Sequence, residues 1–157
     1  MYKEAESLNM VAEFHASFKH PIKNCPGIPT SDRTELRVKL ISEELDELKE
    51  GIRKKDIVEI ADALCDIQYV LSGAVLEFGL AEKFNELFNE VQRSNMSKAC
   101  KNEGEAINSV EYYKNTGVDC YYEKKGDLYI LYRSEDHKVM KSIYYSEARL
   151  KDILEKS

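Results

Sequence analysis

Proline is scarce in this 157-residue chain, and its three copies, Pro21, Pro26 and Pro29, crowd together around Gly27. One loop is therefore heavily punctuated, and long helices are open to the rest. Cysteine is sparse as well. Cys25, Cys65, Cys100 and Cys120 stand far apart with no CxxC pair, which argues against a zinc framework and suits free thiols in a reducing cytoplasm. Cys65 lies in an apolar run and reads as a small core residue. No run approaches eighteen apolar residues, so no membrane span is expected. The opening MYKEAES carries both signs of charge and no apolar segment, unlike a secretory leader. No stretch reads GxxxxGK[ST], which disfavours P-loop chemistry. Basic charge is in deficit: the net charge is -6 and the pI about 5.2, against a nucleic-acid partner.

With 43% hydrophobic and 33% charged residues, the chain has the composition of a soluble globular protein. Leu8, Val11, Phe14, His15 and Phe18 recur at helical spacing and predict a first helix over about 7–18. After the proline loop, Ser31 or Asp32 is placed to cap a second helix, with Glu35 closing a capping box and Gly51 as its stop. Asp56 is a cap for a third helix over about 57–78, and a fourth spans about 81–96. Beyond Lys98 the character changes. A short helix is expected through Tyr113, then three strands (119–123, 128–133 and 139–145) rich in tyrosine and β-branched residues, then a last helix over 146–155. The tyrosines read as strand packing. The expected fold is mainly α: a four-helix core over 1–98 and a small α+β extension over 99–157 with a three-stranded antiparallel sheet.

Acidic residues concentrate in Glu43-Glu44-Leu45-Asp46-Glu47 and, one helix later, in Glu59-Ile60-Ala61-Asp62 and Asp66. Glu43, Glu44 and Glu47 fall within roughly a 100° arc of one helix, and Glu59, Asp62 and Asp66 within roughly 60° of the next. Helices joined by a short connection pack antiparallel, so the two arcs can face each other. No Lys or Arg occurs between Lys55 and Lys83, and the third helix is apolar on most of its circumference. That predicts a buried helix whose acids lack a local basic partner. A divalent cation can supply the missing charge. Donors that are all oxygen, with no histidine among them, favour Mg²⁺, with Mn²⁺ as a substitute.

Glu-Glu-x-x-Glu followed after a gap by Glu-x-x-Asp resembles the signature of the MazG-like, all-α NTP pyrophosphohydrolases. The likeness extends to Val11-x-x-Phe14-His15-x-x-Phe18, Leu40-Ile41-x-Glu43-Glu44, Ala61-Asp62-Ala63-Leu64-x-Asp66 and Arg93-Ser94-Asn95-Met96-Ser97-Lys98, covering about residues 8–98. These stretches are similar to the phosphoribosyl-ATP pyrophosphohydrolase-like branch.

The resemblance implies metal bound between two helices by Glu44, Glu47, Glu59 and Asp62. Glu43 is either a further ligand or the group that orients the attacking water, and Glu43 and Glu47 are the catalytic candidates. Asp66 either supports a ligand or makes a polar contact inside the bundle. Lys98, Asn95 and Arg93 are candidates for phosphate contacts, with Arg37 a weaker one. His15, Phe18 and Tyr69 either border a nucleobase or pack as core. The implied reaction is Mg²⁺-dependent hydrolysis of a nucleoside triphosphate at the α-phosphorus, giving monophosphate and pyrophosphate, in nucleotide-pool house-cleaning. The alternatives are phosphoribosyl-ATP hydrolysis in histidine biosynthesis and a non-catalytic nucleotide- or partner-binding module. The family also implies a homodimer or homotetramer, which the apolar third helix favours.

Overall fold

A computed structural model describes residues 2–3 and 5–156. In chain order the elements are α1 (Ser7–Phe18), α2 (Ser31–Lys54), α3 (Ile57–Glu77), α4 (Ala81–Met96), α5 (Glu103–Asn115), β1 (Cys120–Lys125), β2 (Leu128–Arg133), β3 (Val139–Met140) and α6 (Leu150–Leu154). They form two compact units, Met1–Asn85 and Glu86–Ser157, with α4 running through the boundary. The fold class is the expected one: mainly helical, with a small three-stranded antiparallel sheet near the C-terminus.

In the first unit α3 packs on both α1 and α2. Contacts run from Gly51 against Ile60, beside the connection, to Arg33 against Glu77 at the far end, so α2 and α3 are antiparallel. Two local devices make the tight reversal. Lys55 adopts the left-handed conformation, with φ of 58°, and its N–H donates to the last carbonyls of α2. Asp56 Oδ1 accepts from the amides of Val58 and Glu59, a cap of the kind worth about 1 kcal/mol.

Gly51 does not end α2, as its sequence suggested. It lies inside the helix, where a Cβ would meet the Ile60 nitrogen at 3.1 Å and its Cγ1 at 3.2 Å. The missing side chain admits the neighbouring backbone instead of stopping the helix. The start of α2 also differs from expectation: Thr30 is its N-cap, and Ser31 Oγ donates to Glu35. A second correction concerns α3. Its C-terminal half is buried at Ser72, Gly73, Val75, Leu76 and Glu77, but its N-terminal half buries only Ala63 and is otherwise open, with Ile57 and Val58 more than 70% exposed. Cys65 is exposed and not a core residue, because it lies on that open half.

In the second unit β1 pairs with β2 from Cys120↔Arg133 to Lys125↔Leu128, and β2 pairs with β3 at Leu131↔Met140. Residues directly opposite one another share a face. Tyr122, Leu131 and Met140 therefore point together, and they pack with α5 around buried Cys100, Ala106, Cys120 and Leu131. The third strand and the last helix are shorter than expected. Chain beyond Met140 is instead tied down by single bonds, such as Ser142 N–H to the Lys98 carbonyl. Among the described residues no single helix is long and apolar enough to cross a membrane.

Candidate active site

The antiparallel hairpin brings the two acidic arcs together. Glu47, Glu59 and Asp62 line one cleft of about 230 Å³, together with Glu50 and Lys54. Glu44 lies one turn farther from the connection. Its carboxyl is pushed above the usual glutamate range by partial burial, and then by the negative charges of Glu47, Asp66, Glu43 and Asp62. Like charges crowd here without full compensation. Asp66 is thus one of the acids facing Glu44. Glu43 is exposed and pairs with Lys39 one turn earlier, at 3.5 Å.

The expected lack of a basic partner is corrected at one position. Lys54 Nζ lies 3.0 Å from both carboxylate oxygens of Glu59, and 3.7 Å from Glu50. Lys54 stands in the last turn of α2 and so meets an acid of each helix, Glu50 on its own and Glu59 on the next. As they stand, no three His, Cys, Asp or Glu side chains among the described residues are arranged to hold a metal ion. The donor set nevertheless fits a hard divalent cation. All the donors are carboxylates, three of them share a cleft, and the charge crowding at Glu44 is of the kind such an ion relieves. Lys54 would compete with such an ion for Glu59.

Farther from the connection, α1, α2 and α3 enclose a second cavity of about 150 Å³, bordered by Phe14, His15, His20, Arg33, Arg37 and Tyr69. Glu77, 1% exposed, accepts from both of these arginines; Arg33 Nε lies at 3.1 Å. Burial pushes the Glu77 carboxyl up, but the hydrogen bonds and charges of the two arginines outweigh it and hold it below the usual range. The buried Arg37 Nε has no acceptor. The guanidinium and His15 lie over Gly73, where a Cβ would stand 2.6 Å from Arg37 Nη1 and 3.1 Å from His15 Nε2. His15 Nδ1 donates to the Pro21 carbonyl at 3.0 Å. Burial, with help from Arg37, holds its pKa below the ordinary histidine value.

Of the three aromatic candidates, His15 and Tyr69 border this cavity. Phe18 is 65% exposed and rests on Phe14. Arg37, expected as a weak phosphate ligand, is a buried partner of Glu77. Sequence reasoning passed over Arg33, Glu77 and His20, and read Phe14 as part of the first helix's apolar pattern without placing it at a site. A signal was present: Glu77 stands in the apolar run Val75-Leu76-Glu77-Phe78 and requires a partner, while Arg33 and Arg37 are spaced one turn apart.

Arg93, Asn95 and Lys98 belong to the second unit. Arg93 donates two bonds to Glu90 and one to the Glu147 carbonyl. Glu90 is held down to about 2, first by Arg93 and then by the Arg149 amide. Lys98 Nζ donates to Asn95 Oδ1 at 2.8 Å, Ser94 Oγ to the Tyr145 hydroxyl, and Ser97 Oγ to the Ser146 carbonyl. Arg93, Ser94, Ser97 and the Lys98 carbonyl thus fasten the segment that follows the sheet. A larger cleft of about 460 Å³ beside α6 has balanced walls: Arg93, Arg149 and Lys156 against Glu86, Glu90 and Asp152.

This paired carboxylate hairpin lies within residues 11–95, which match the family of phosphoribosyl-ATP pyrophosphohydrolase (PRA-PH). The chain belongs to that family. PRA-PH membership makes it a pyrophosphohydrolase in general terms. An uncharacterized protein of Acanthamoeba polyphaga mimivirus is also similar, 25% identical in a gapped alignment that covers 98% of this chain and 97% of that protein.

Proposed function

We propose that this PRA-PH protein hydrolyses a nucleoside triphosphate at the α-phosphorus, releasing the monophosphate and pyrophosphate, as a cytoplasmic house-cleaning enzyme. The observation that carries the reading is the meeting of Glu44 and Glu47 with Glu59 and Asp62 across α2 and α3, with excess negative charge at Glu44. Those four carboxylates would hold Mg²⁺, or Mn²⁺ in its place. A divalent cation bound there would offset the charge of the triphosphate and acidify a water molecule. Glu47, inside the cleft, takes the proton from the attacking water. Glu43, one turn earlier, orients that water, and Asp66 supports Glu44. Lys98, Asn95 and Arg93 remain candidates for contacts to the leaving pyrophosphate.

Phosphoribosyl-ATP is the second substrate reading, favoured by the description of the matching family. A homodimer as the smallest assembly is also proposed. Ile57, Leu64 and Leu71 recur every seven residues on α3 and are exposed, as are Val38, Leu45 and Ile52 on α2. Apolar stripes at this spacing suit helix pairing with a second copy.

The test is a panel of ribo- and deoxyribonucleoside triphosphates and phosphoribosyl-ATP with Mg²⁺, scoring pyrophosphate against orthophosphate. Release of pyrophosphate that EDTA and Glu47→Gln both abolish supports the reading. Release of orthophosphate alone, or none from any substrate, overturns it. Light scattering checks the assembly: Leu64→Glu is expected to yield monomers, and a wild-type monomer at micromolar concentration would exclude the dimer.

A further inference from the structure

We infer that the cavity between α1, α2 and α3 is a base pocket selective for a dioxo-pyrimidine, the uracil type, over cytosine and the purines. The inference rests on the reading that the neighbouring acidic cleft takes a nucleoside triphosphate.

Position comes first. Leu40 and Val70 border the cavity. Leu40 lies one turn before Glu44 on α2, and Val70 one turn after Asp66 on α3. A turn advances about 5.4 Å, so the cavity's border lies about one turn along α2 and α3 from Glu44 and Asp66, the spacing of a neighbouring part of one ligand. Size comes next. About 150 Å³ is the scale of a cavity that takes up a single aromatic ring. The walls suit a flat ring: Phe14 meets Tyr69 edge-on at 5.6 Å and stacks with His20 at 5.6 Å.

Hydrogen-bonding character then selects among single-ring bases. The guanidinium groups of Arg33 and Arg37 have donors only. Glu77 neutralises one of their two charges and accepts from both groups, while Arg37 Nε has no acceptor although its side chain is 92% buried. A buried donor of that kind lacks a hydrogen bond that a ligand carbonyl would provide. Beside it stands an acceptor. The Pro21 carbonyl can only accept, so His15 carries its proton on Nδ1 and, when neutral, presents Nε2 as an acceptor. Arg37 Nη1 and His15 Nε2 flank the same point above Gly73. Donors beside an acceptor complement the C=O and N–H edge of a dioxo-pyrimidine. Cytosine turns an amino donor toward the arginines and offers no ring N–H to His15, and a purine has a second ring to place.

The experiment uses the full-length protein with Mg²⁺ and measures kcat/KM for dUTP, dTTP, dCTP, dATP and dGTP. In parallel, calorimetry measures binding of the α,β-imido analogues of dUTP and dCTP. The uracil or thymine nucleotide is expected to lead by at least about tenfold, the scale of discrimination by one paired base edge. Arg37→Gln, whose amide can accept as well as donate, is expected to shrink the uracil-to-cytosine ratio. Arg33→Gln, at a partly exposed position, serves if the first variant fails to fold. Pyrophosphate release without base discrimination, or led by cytosine or a purine, overturns the pocket assignment and leaves the reaction standing. If no nucleotide is hydrolysed, the reaction falls, and equal binding or no binding of the two analogues overturns the pocket as well. Tighter binding of the dUTP analogue without turnover supports the pocket alone.

Discussion

Replacing Glu77 by glutamine removes the carboxylate that Arg33 and Arg37 share while keeping its shape. Glu77 is 1% exposed and the Arg37 side chain 8%, so the variant leaves a buried guanidinium with an amide in place of its counter-charge. Breaking one side of a buried ion pair typically costs about 3–5 kcal/mol. The amide retains one acceptor, which places the expected loss near the lower end, about 3 kcal/mol. For a chain of this length each kcal/mol is worth about 2–4 °C in Tm, so Glu77→Gln is expected to melt about 6–12 °C lower. Thermal melts followed by circular dichroism measure this, and a double-mutant cycle with Arg37→Met isolates the pairwise part. The carboxyl of Glu77 is held below its ordinary value of 4.5. Its contribution is therefore complete above pH 4.5 and is lost as the pH falls through the lower folded value. The variant should lack that component of acid sensitivity. A Tm within about 2 °C of wild type at pH 7 (about 0.5–1 kcal/mol), or an unchanged acid limb, would refute the reasoning.

Lys54→Met frees Glu59 from its ammonium partner, and the Tm increase on adding Mg²⁺ should exceed that of wild type; an equal increase would show that the pair does not compete with metal. Glu44→Gln relieves like-charge crowding, so it should raise the Tm in EDTA and reduce the increase given by Mg²⁺. Gly73→Ala places a methyl 2.6 Å from Arg37 Nη1, an overpacking expected to cost about 1–3 kcal/mol in denaturant melts; stability equal to wild type would mean that the guanidinium can move freely. Glu90 should titrate at about 2 by carboxyl NMR, and Arg93→Gln should return it toward the ordinary 4.5, because Arg93 is the main cause of the depression.

The bounds of α1 and α4 were legible because apolar periodicity, the proline loop and Gly79 all point to the same limits. The acidic hairpin was legible for a related reason: helical spacing and a short connection determine which side chains can meet. Gly51 misled because a glycine that admits a neighbouring backbone looks, in sequence, like one that ends a helix. The apolar composition of α3 led to an expectation of full burial, yet composition reports only that a face seeks cover, not which chain supplies it. Ile57 and Leu64 remain open in the single chain. Lys54 was missed because its partner lies beyond a helix reversal, where spacing along one helix says nothing. The cluster of Arg33, Arg37 and Glu77 depends on contacts more than forty residues apart for Arg33, a separation that local periodicity does not reach.

The Lys54–Glu59 pair also bears on the order of events in the life of the molecule. Small metal-nucleated domains collapse only when their ion arrives, because repulsion among the ligands keeps the empty chain open. Here an ammonium group from the end of α2 already sits against one of the carboxylates. That contact relieves part of the repulsion among the acids without any ion, and under the proposed function binding of a metal would exchange one cation for another at Glu59.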